Sequence, residues 1–254
     1  MKPIGHTILR RETVTSTNTL ILNDEALLAN HGLVMTAQHQ TAGRGRMGRA
    51  WASIPGAQLQ FSVVVHPRMR EADVPVIALI AGLAVAGGIW EATGLAARLR
   101  WPNDVFLAGR KVCGILVEAK PDAAGHSRLV IGIGINCQGQ AEDFPPDVVP
   151  ILITLAQASG RPVDNEQVLQ AVLAHLERLL HRLEAGEKPA LLAEWLRFAD
   201  VQGARVRLPT PRGPVTATVE GVNAEGYLTA RDDIGGRYVI VSSDIEWLAS
   251  GARP

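Results

Sequence analysis

The hydrophobic pattern of the chain predicts a sheet before it predicts anything else. Residues 33–40 (LVMTAQHQ), 58–66 (QLQFSVVVH), 111–120 (KVCGILVEAK) and 128–137 (RLVIGIGINC) are β-rich runs of strand length beside Gly or Pro punctuation, expected to build one sheet. Between them, residues 74–90 (VPVIALIAGLAVAGGIW) carry no charge, and Gly94 follows as a helix C-terminal glycine. This segment falls just short of the ~20 residues a bilayer requires, and Gly82, Gly87 and Gly88 suit close helix packing, so a buried core helix is expected. Asp164 should cap a long amphipathic helix whose stripe is Val168, Leu169, Val172, Leu173, Leu176, Leu179 and Leu180, with a shorter helix near PALLAEWLRFA. After Asp200 the texture changes to short β segments broken by PRG, AEG and IGG turns, predicting a small SH3-like or OB-like barrel and a domain boundary near residue 200.

Composition adds bounds. A chain of 254 residues, 47% hydrophobic, can bury a real core. Its 25 basic and 25 acidic side chains cancel, which argues against coating nucleic acid or anionic membrane with the whole surface; any electrostatic function must be local. Cys113 and Cys137 form no CxxC and have no accompanying His spacing, so neither a disulfide framework nor a zinc site is indicated. The N-terminal segment has no apolar core followed by a small-residue cleavage site, and a reducing, cytoplasmic setting is expected.

Against that neutral background, residues 43–49 (GRGRMGR) interleave arginines with glycines. Glycine lets backbone N–H groups approach a ligand, and guanidinium forks match phosphate or carboxylate oxygens. No GK[ST] follows, so this is not a Walker A loop, and it lacks the small residues and following helix of a dinucleotide fold-back. On the residues alone, a compact anion site, an RNA-binding loop and a plain surface loop all remain open, with zero net charge favouring the first.

The neighbouring motifs narrow this. STN at Ser16, Thr17 and Asn18, HQTAGRGRMGRAW, RWPNDVFLAGRKVCGILVE and IGIGIN occur in that order, and together they resemble the biotin protein ligase family. The resemblance runs from about Ser16 to Thr154 and more weakly through the C-terminal segment. It implies an α+β fold: a mixed central sheet with flanking helices, class II synthetase-like, over residues 1–199, followed by an SH3-like β-barrel over 200–254. It also implies a two-step reaction that uses ATP and Mg²⁺. Biotin's carboxylate attacks the α-phosphate to give biotinyl-5′-AMP, and a lysine of the biotin carboxyl carrier protein of acetyl-CoA carboxylase then takes the biotin as an amide. The same fold carries lipoate ligases, the nearest alternative; a biotin-responsive nucleic-acid-binding regulator is the alternative from another class.

By resemblance, Lys111, Arg44 and Arg46 carry the chemistry. Ser16, Thr17, Asn18, Gln40, Gly43, Arg44, Gly45, Arg46, Lys111, Gly114, Gly132 and Gly134 would hold biotin. Arg46, Arg49, Trp51, Asn103, Lys111, Asn136 and Leu152 would hold ATP, and Asp104 would face the metal. The residue chemistry agrees: hydroxyls and amides can pair with a ureido ring, fixed cations suit charge around a phosphate, and a carboxylate is a hard ligand for magnesium. Bland roles also exist. STN can cap a helix running over 16–28, WPND can be a turn, and strand glycines can serve tight packing. Three departures bear on the nucleotide: Arg100 stands where lysine is usual before WPND, Met47 where arginine is common, and Leu152 where tryptophan often covers adenine.

The sequence leaves monomer and homodimer open. Only a short segment precedes Ser16, and the expectation is neither membrane binding nor operator-specific DNA binding. A DNA footprint that appears with biotin and ATP would contradict the latter.

Overall fold

In the computed structural model, which describes residues 2–69, 71–122, 127–199, 201–211, 213–241 and 245–248, the first sheet has seven strands. They are β1 (Thr7–Val14), β2 (Leu33–Gln40), β3 (Gln58–Val65), β4 (Arg98–Arg100), β5 (Asp104–Leu107), β6 (Arg110–Pro121) and β7 (Ser127–Asn136). Their order is β1-β2-β3-β7-β6-β5-β4, with β1 parallel to β2 and every other pair antiparallel. The fold is therefore α+β with a mixed sheet. The four expected strands form its centre. β1, β4 and β5 were not among them: β1 is a charged edge strand with four consecutive exposed residues, so alternation is weak there, and β4 and β5 are too short to register as runs.

Helix α1 (Thr17–Asn23) begins at Ser16, whose hydroxyl accepts from Thr19 N at 3.5 Å. The single helix expected over 16–28 is in fact two. Asp24 adopts an extended backbone and accepts from Ala26 N and Leu27 N, so it ends α1 and caps α2 (Glu25–Leu28). Ile21 and Leu28 from these helices pack on Leu33, Met35, Val64 and Val130 of the sheet.

The opposite face carries α3 (Val74–Thr93), α5 (Asn165–Glu184) and α6 (Lys188–Ala199), while a short α4 (Leu155–Ser159) precedes α5. Gly94 ends α3 in the left-handed conformation at φ 73°, and Asp164 caps α5 through Glu166 N at 2.8 Å. Every residue of the expected α5 stripe is buried. α3 is long and apolar enough to cross a membrane by composition, but here it lies between the sheet and α5 as a core helix.

Beyond α6, β8 (Arg205–Leu208), β9 (Val215–Val222), β10 (Leu228–Asp232), β11 (Arg237–Ile240) and β12 (Glu246–Trp247) form an antiparallel sheet of order β11-β10-β9-β8-β12. Among the described residues β11 and β12 are its edges, so the pairing establishes the sheet and not closure into a barrel. Asp200 at the expected boundary, Arg212 of the PRG turn and residues 249–254 lie outside the described residues. Val206, Leu208, Ala217 and Leu228 of this sheet share one hydrophobic cluster with α3 and α6.

Close packing of α3 on α5 depends on specific glycines. A Cβ at Gly88 would lie 2.5 Å from Val172 Cγ2 and 2.7 Å from its backbone N, whereas one at Gly82 would make ordinary contacts, with Leu99 at 3.5 Å and Trp195 Nε1 at 3.9 Å. Since overpacking costs about 1–3 kcal/mol while Gly→Ala in an open helical site gains up to ~1 kcal/mol, the two glycines should separate in urea denaturation. Gly88→Ala is expected to lower stability and Gly82→Ala to leave it unchanged or raised; equal stability of Gly88→Ala and wild type would refute the packing assignment.

Candidate functional site

On one face of β3, the polar residues Gln58, Gln60 and Ser62 occupy alternate positions, all essentially buried. In register they stand beside Asn136, Gly134 and Gly132 of β7, and Gly134 and Gly132 in turn face Gly114 and Leu116 of β6. The same sheet face that is apolar under α1 and α2 thus becomes a bare, polar-rimmed floor farther along.

What covers the floor explains its glycines. A Cβ at Gly134 would lie 2.5 Å from Trp51 Cζ2 and one at Gly114 3.0 Å from Trp51 Cζ3, so the indole rests where side chains would be. At Gly132 the obstacle is Asn18 Oδ1, at 2.5 Å. The protein's own Trp51 and Asn18 thus take the space that side chains at these three positions would need. Trp51 Nε1 is buried without a protein hydrogen-bond partner.

A neutral hydrogen-bond network surrounds the floor. Thr17 N donates to Gln40 Oε1 at 2.8 Å, Gln40 Nε2 to Gln60 Oε1 at 2.8 Å, and Gln60 Nε2 to Ser53 Oγ at 2.8 Å. The Ser62 hydroxyl lies 2.6 Å from Thr17 Oγ1 and 2.5 Å from Asn18 Oδ1. Asn18 Nδ2 donates to Glu118 Oε2 at 2.9 Å, and that oxygen also accepts from Arg44 at 2.7 Å. At the other end Gln58 Nε2 donates to Asn136 Oδ1 at 2.9 Å.

The arginine loop is a closed turn. Gly45 N donates to Arg49 O at 2.7 Å and Trp51 N to Gly43 O at 2.9 Å, with Met47 at its tip in the left-handed region, φ 56°. Met47 is largely exposed, so its departure from arginine adds an apolar tip. Arg46 is half-buried; burial pulls its guanidinium below its ordinary value while the charge of Asp104 opposes the shift. Arg44 and Arg49 stay exposed.

Lys111 reaches the floor through an irregularity. It stands opposite Phe106 while Cys113 stands opposite Val105, which leaves Val112 as an extra, bulged residue. Val112 and Cys113 both enter the core, and Lys111 swings to the other face, where its Nζ would be 3.4 Å from a Cβ on Gly114. Its Nζ lies 2.6 Å from Asp104 Oδ1, an ion pair without the alignment of a hydrogen bond. Burial pushes both thiols up, Cys137 to about 12 and Cys113 well above its ordinary value, so neither supplies a thiolate.

One cavity of about 570 Å³ gathers these groups. Ser16, Thr17, Asn18, Gln40, Arg44, Gly45, Arg46, Arg49, Trp51, Asn103, Asp104, Lys111, Gly114, Gly132, Gly134, Asn136 and Leu152 all line it. Of the expected site residues only Gly43 does not; a Cβ there would lie 2.8 Å from Trp51 O, so it serves the loop's closure. Asn103 Nδ2 is held by Ile115 O at 2.7 Å, and Leu152 is buried beside Phe144. The sequence motifs do not single out Gln58, Glu118, Trp101, Ile245 and Trp247. Arg100 stacks at 4.1 Å over the Phe106 ring, a contact that suits a planar guanidinium better than an ammonium. Polar residues at alternate positions of QLQFS were a readable signal for Gln58, Gln60 and Ser62.

This fold and site define a class with known members. The sequence profile of the Biotin/lipoate A/B protein ligase family matches residues 11–136. A bifunctional ligase/repressor of Bacillus spizizenii is 33% identical over 96% of this chain and 74% of its own length. The biotin–[acetyl-CoA-carboxylase] ligase of Mycobacterium tuberculosis is 35% identical over 84% of this chain and 77% of its own. Among solved structures, the biotin protein ligase of Aquifex aeolicus in complex with biotin and ATP superposes with a TM-score of 0.79 at 26% identity, covering 96% of this chain and 100% of that one. The chain belongs to the biotin protein ligases of the biotin/lipoate A/B protein ligase family.

Proposed function

We propose that the protein is an ATP-dependent biotin–carboxyl carrier protein ligase. The observation that carries the reading is the pairing, in one cavity, of a neutral amide and hydroxyl floor with Arg44, Arg46, Arg49 and Lys111 along its rim. A ureido ring, with one acceptor and two donors and no charge, suits the Thr17, Gln40 and Ser62 network. A lipoyl dithiolane has neither the carbonyl acceptor nor the N–H donors of a ureido ring and so could make none of those hydrogen bonds with the network. The relatives named for acetyl-CoA carboxylase point to its biotin carboxyl carrier domain as the acceptor. Both cysteines are free and buried, in keeping with a reducing cytoplasm.

In the first step the biotin carboxylate attacks the α-phosphate of ATP, the bond to pyrophosphate breaks, and biotinyl-5′-AMP forms. In the second, the carrier's lysine amine attacks the acyl carbon, loses a proton, and AMP leaves as the amide forms. Negative charge stays around one phosphate throughout, and cations fixed beforehand stabilise it without reorganisation. Lys111, held by Asp104, is a point charge that can follow an oxygen from carboxylate to anhydride to leaving group. Trp51 supplies an aromatic ring, Asn136 an amide and Leu152 an apolar wall for the nucleotide. Among the described residues no cluster of His, Cys, Asp or Glu forms a protein-only metal cage. A lone carboxylate, Asp104, fits magnesium that takes most of its ligands from phosphate and water and would neutralise phosphate charge there.

The decisive experiment is exchange of labelled pyrophosphate into ATP, with biotin and lipoate compared. Biotin-dependent exchange is expected, and exchange with lipoate alone would overturn the reading. In the same assay Lys111→Ala should lose ~10²–10³ in rate while remaining folded, because its charge acts mainly in the transition state. Ordinary kinetics would return Lys111 to a structural role. Arg46→Gly should still form the adenylate but release it about ten to a hundred times faster, since a charge-assisted bond in a closed site contributes ~1.5–3 kcal/mol. Bystander proteins would then acquire biotin on exposed lysines; slow release with carrier-only labelling would exclude a retention role for Arg46.

A further inference from the structure

The bystander nearest to an escaping acyl-adenylate is the enzyme itself. A side-chain amine on its own surface meets the mixed anhydride before bulk solution dilutes it. Acylation there needs an unprotonated amine: the nitrogen lone pair attacks the acyl carbon, the bond to the phosphate oxygen breaks, AMP leaves with that electron pair, and the nitrogen gives up a proton to water as the amide forms. A guanidinium stays protonated and offers no such lone pair, so arginine supplies positive charge without supplying an acceptor. The chain's basic residues divide accordingly. Of the 25, all but Lys2, Lys111, Lys120 and Lys188 are arginine. The cavity is lined by Arg44, Arg46, Arg49 and Arg100 and by a single lysine, Lys111.

Three of those lysines are also engaged. Lys111 Nζ lies 2.6 Å from Asp104 Oδ1, and Lys188 Nζ donates at 2.8 Å to Asp73, a carboxylate that is itself buried. Lys120 Nζ donates to Leu22 O at 3.0 Å and to Glu25 Oε2 at 3.4 Å, although its side chain is 46% exposed. Each contact must break before the nitrogen can turn a lone pair toward an acyl carbon. Lys2 is exposed and makes no such contact among the described residues. We infer that the protein excludes itself as an acceptor: arginine in place of lysine, and ion pairing of most lysines that remain, leave the acyl group to a partner's lysine instead of the enzyme's own surface. The purpose of this device rests on the ligase reading above, while the reactivity of each amine does not.

The test supplies excess purified biotinyl-5′-AMP to the full chain and maps biotin on each lysine by peptide mass spectrometry, with an N-hydroxysuccinimide acetate, which acylates any free amine, in a parallel sample. In both, Lys2 should react fastest, Lys120 up to about fivefold slower because its ion pair is exposed, and Lys188 about tenfold or more slower. Two charge-conserving variants test the choice of arginine. Arg98→Lys places an amine opposite Phe106 of the cavity lining, and Arg197→Lys places one on α6, outside that lining; both arginines are exposed. Each variant should acquire biotin at the substituted position at a rate comparable with Lys2, and with biotin and ATP in place of supplied adenylate, position 98 should label faster than position 197. Reaction of Lys111, Lys120 or Lys188 as fast as Lys2 would overturn the shielding by ion pairs. Variants that stay unlabelled at 98 and 197 while Lys2 reacts would overturn the role of arginine. A wild-type protein that forms no adenylate from biotin and ATP would sink the ligase reading instead, and labelling by the supplied adenylate would still judge the amines.

Discussion

The site depends on a patch of sheet that carries no side chains. Gly114, Gly132 and Gly134 lie side by side on β6 and β7, and each is required by an atom above it: Trp51 at 2.5 and 3.0 Å over two of them, Asn18 at 2.5 Å over the third. Removing side chains from the middle of a sheet weakens it, since glycine neither packs nor restricts the unfolded chain. The protein offsets that cost on the opposite face, where Ile131, Ile133, Ile135, Cys113 and Ile115 are buried against α3 and its neighbours. A dense core on one side of the strands thus makes a vacant floor on the other side tolerable.

Much of this was readable in the chain before folding. The four central strands, α3 with its glycine terminator and α5 with its aspartate cap follow from periodicity and capping, because each signal is local. The candidate residues were readable because they cluster in motifs, and all but Gly43 meet in one cavity. What escaped was non-local. Nothing near Lys111 in the chain announces the bulge at Val112 that turns the lysine toward Gly114 while Cys113 enters the core. Trp51 stands far in sequence from the glycines it covers. Glu118 looks like an ordinary strand carboxylate until Asn18 and Arg44 are brought to it. Asp24 is a cap residue by type, but the apolar positions on both sides of it read as one continuous helix. The polar positions of β3 were legible too, since Gln58, Gln60 and Ser62 break an apolar strand at its own period.

Charge is organised on the same economy. A chain of zero formal net charge concentrates Arg44, Arg46, Arg49 and Lys111 on one cavity, with Glu118 paired to Arg44 and Asp104 acting on both Lys111 and Arg46. Half-burial of Arg46 lowers the screening between its charge and any anion in the cavity, so the loop's electrostatic effect is local and strong where the global field is absent.

The wall of this cavity is also composite along the chain. Trp101 is buried, and its indole N–H donates at 3.0 Å to Gly226 O in the turn between β9 and β10; Ile245 and Trp247 from the end of the chain line the cavity itself. A chain cut after α6 would strand a buried donor and remove part of the binding wall, so the C-terminal sheet behaves as the missing side of a container. Neither piece holds the whole pocket, and cutting between them would make its integrity a matter of concentration, with two fragments required to find each other before either could serve.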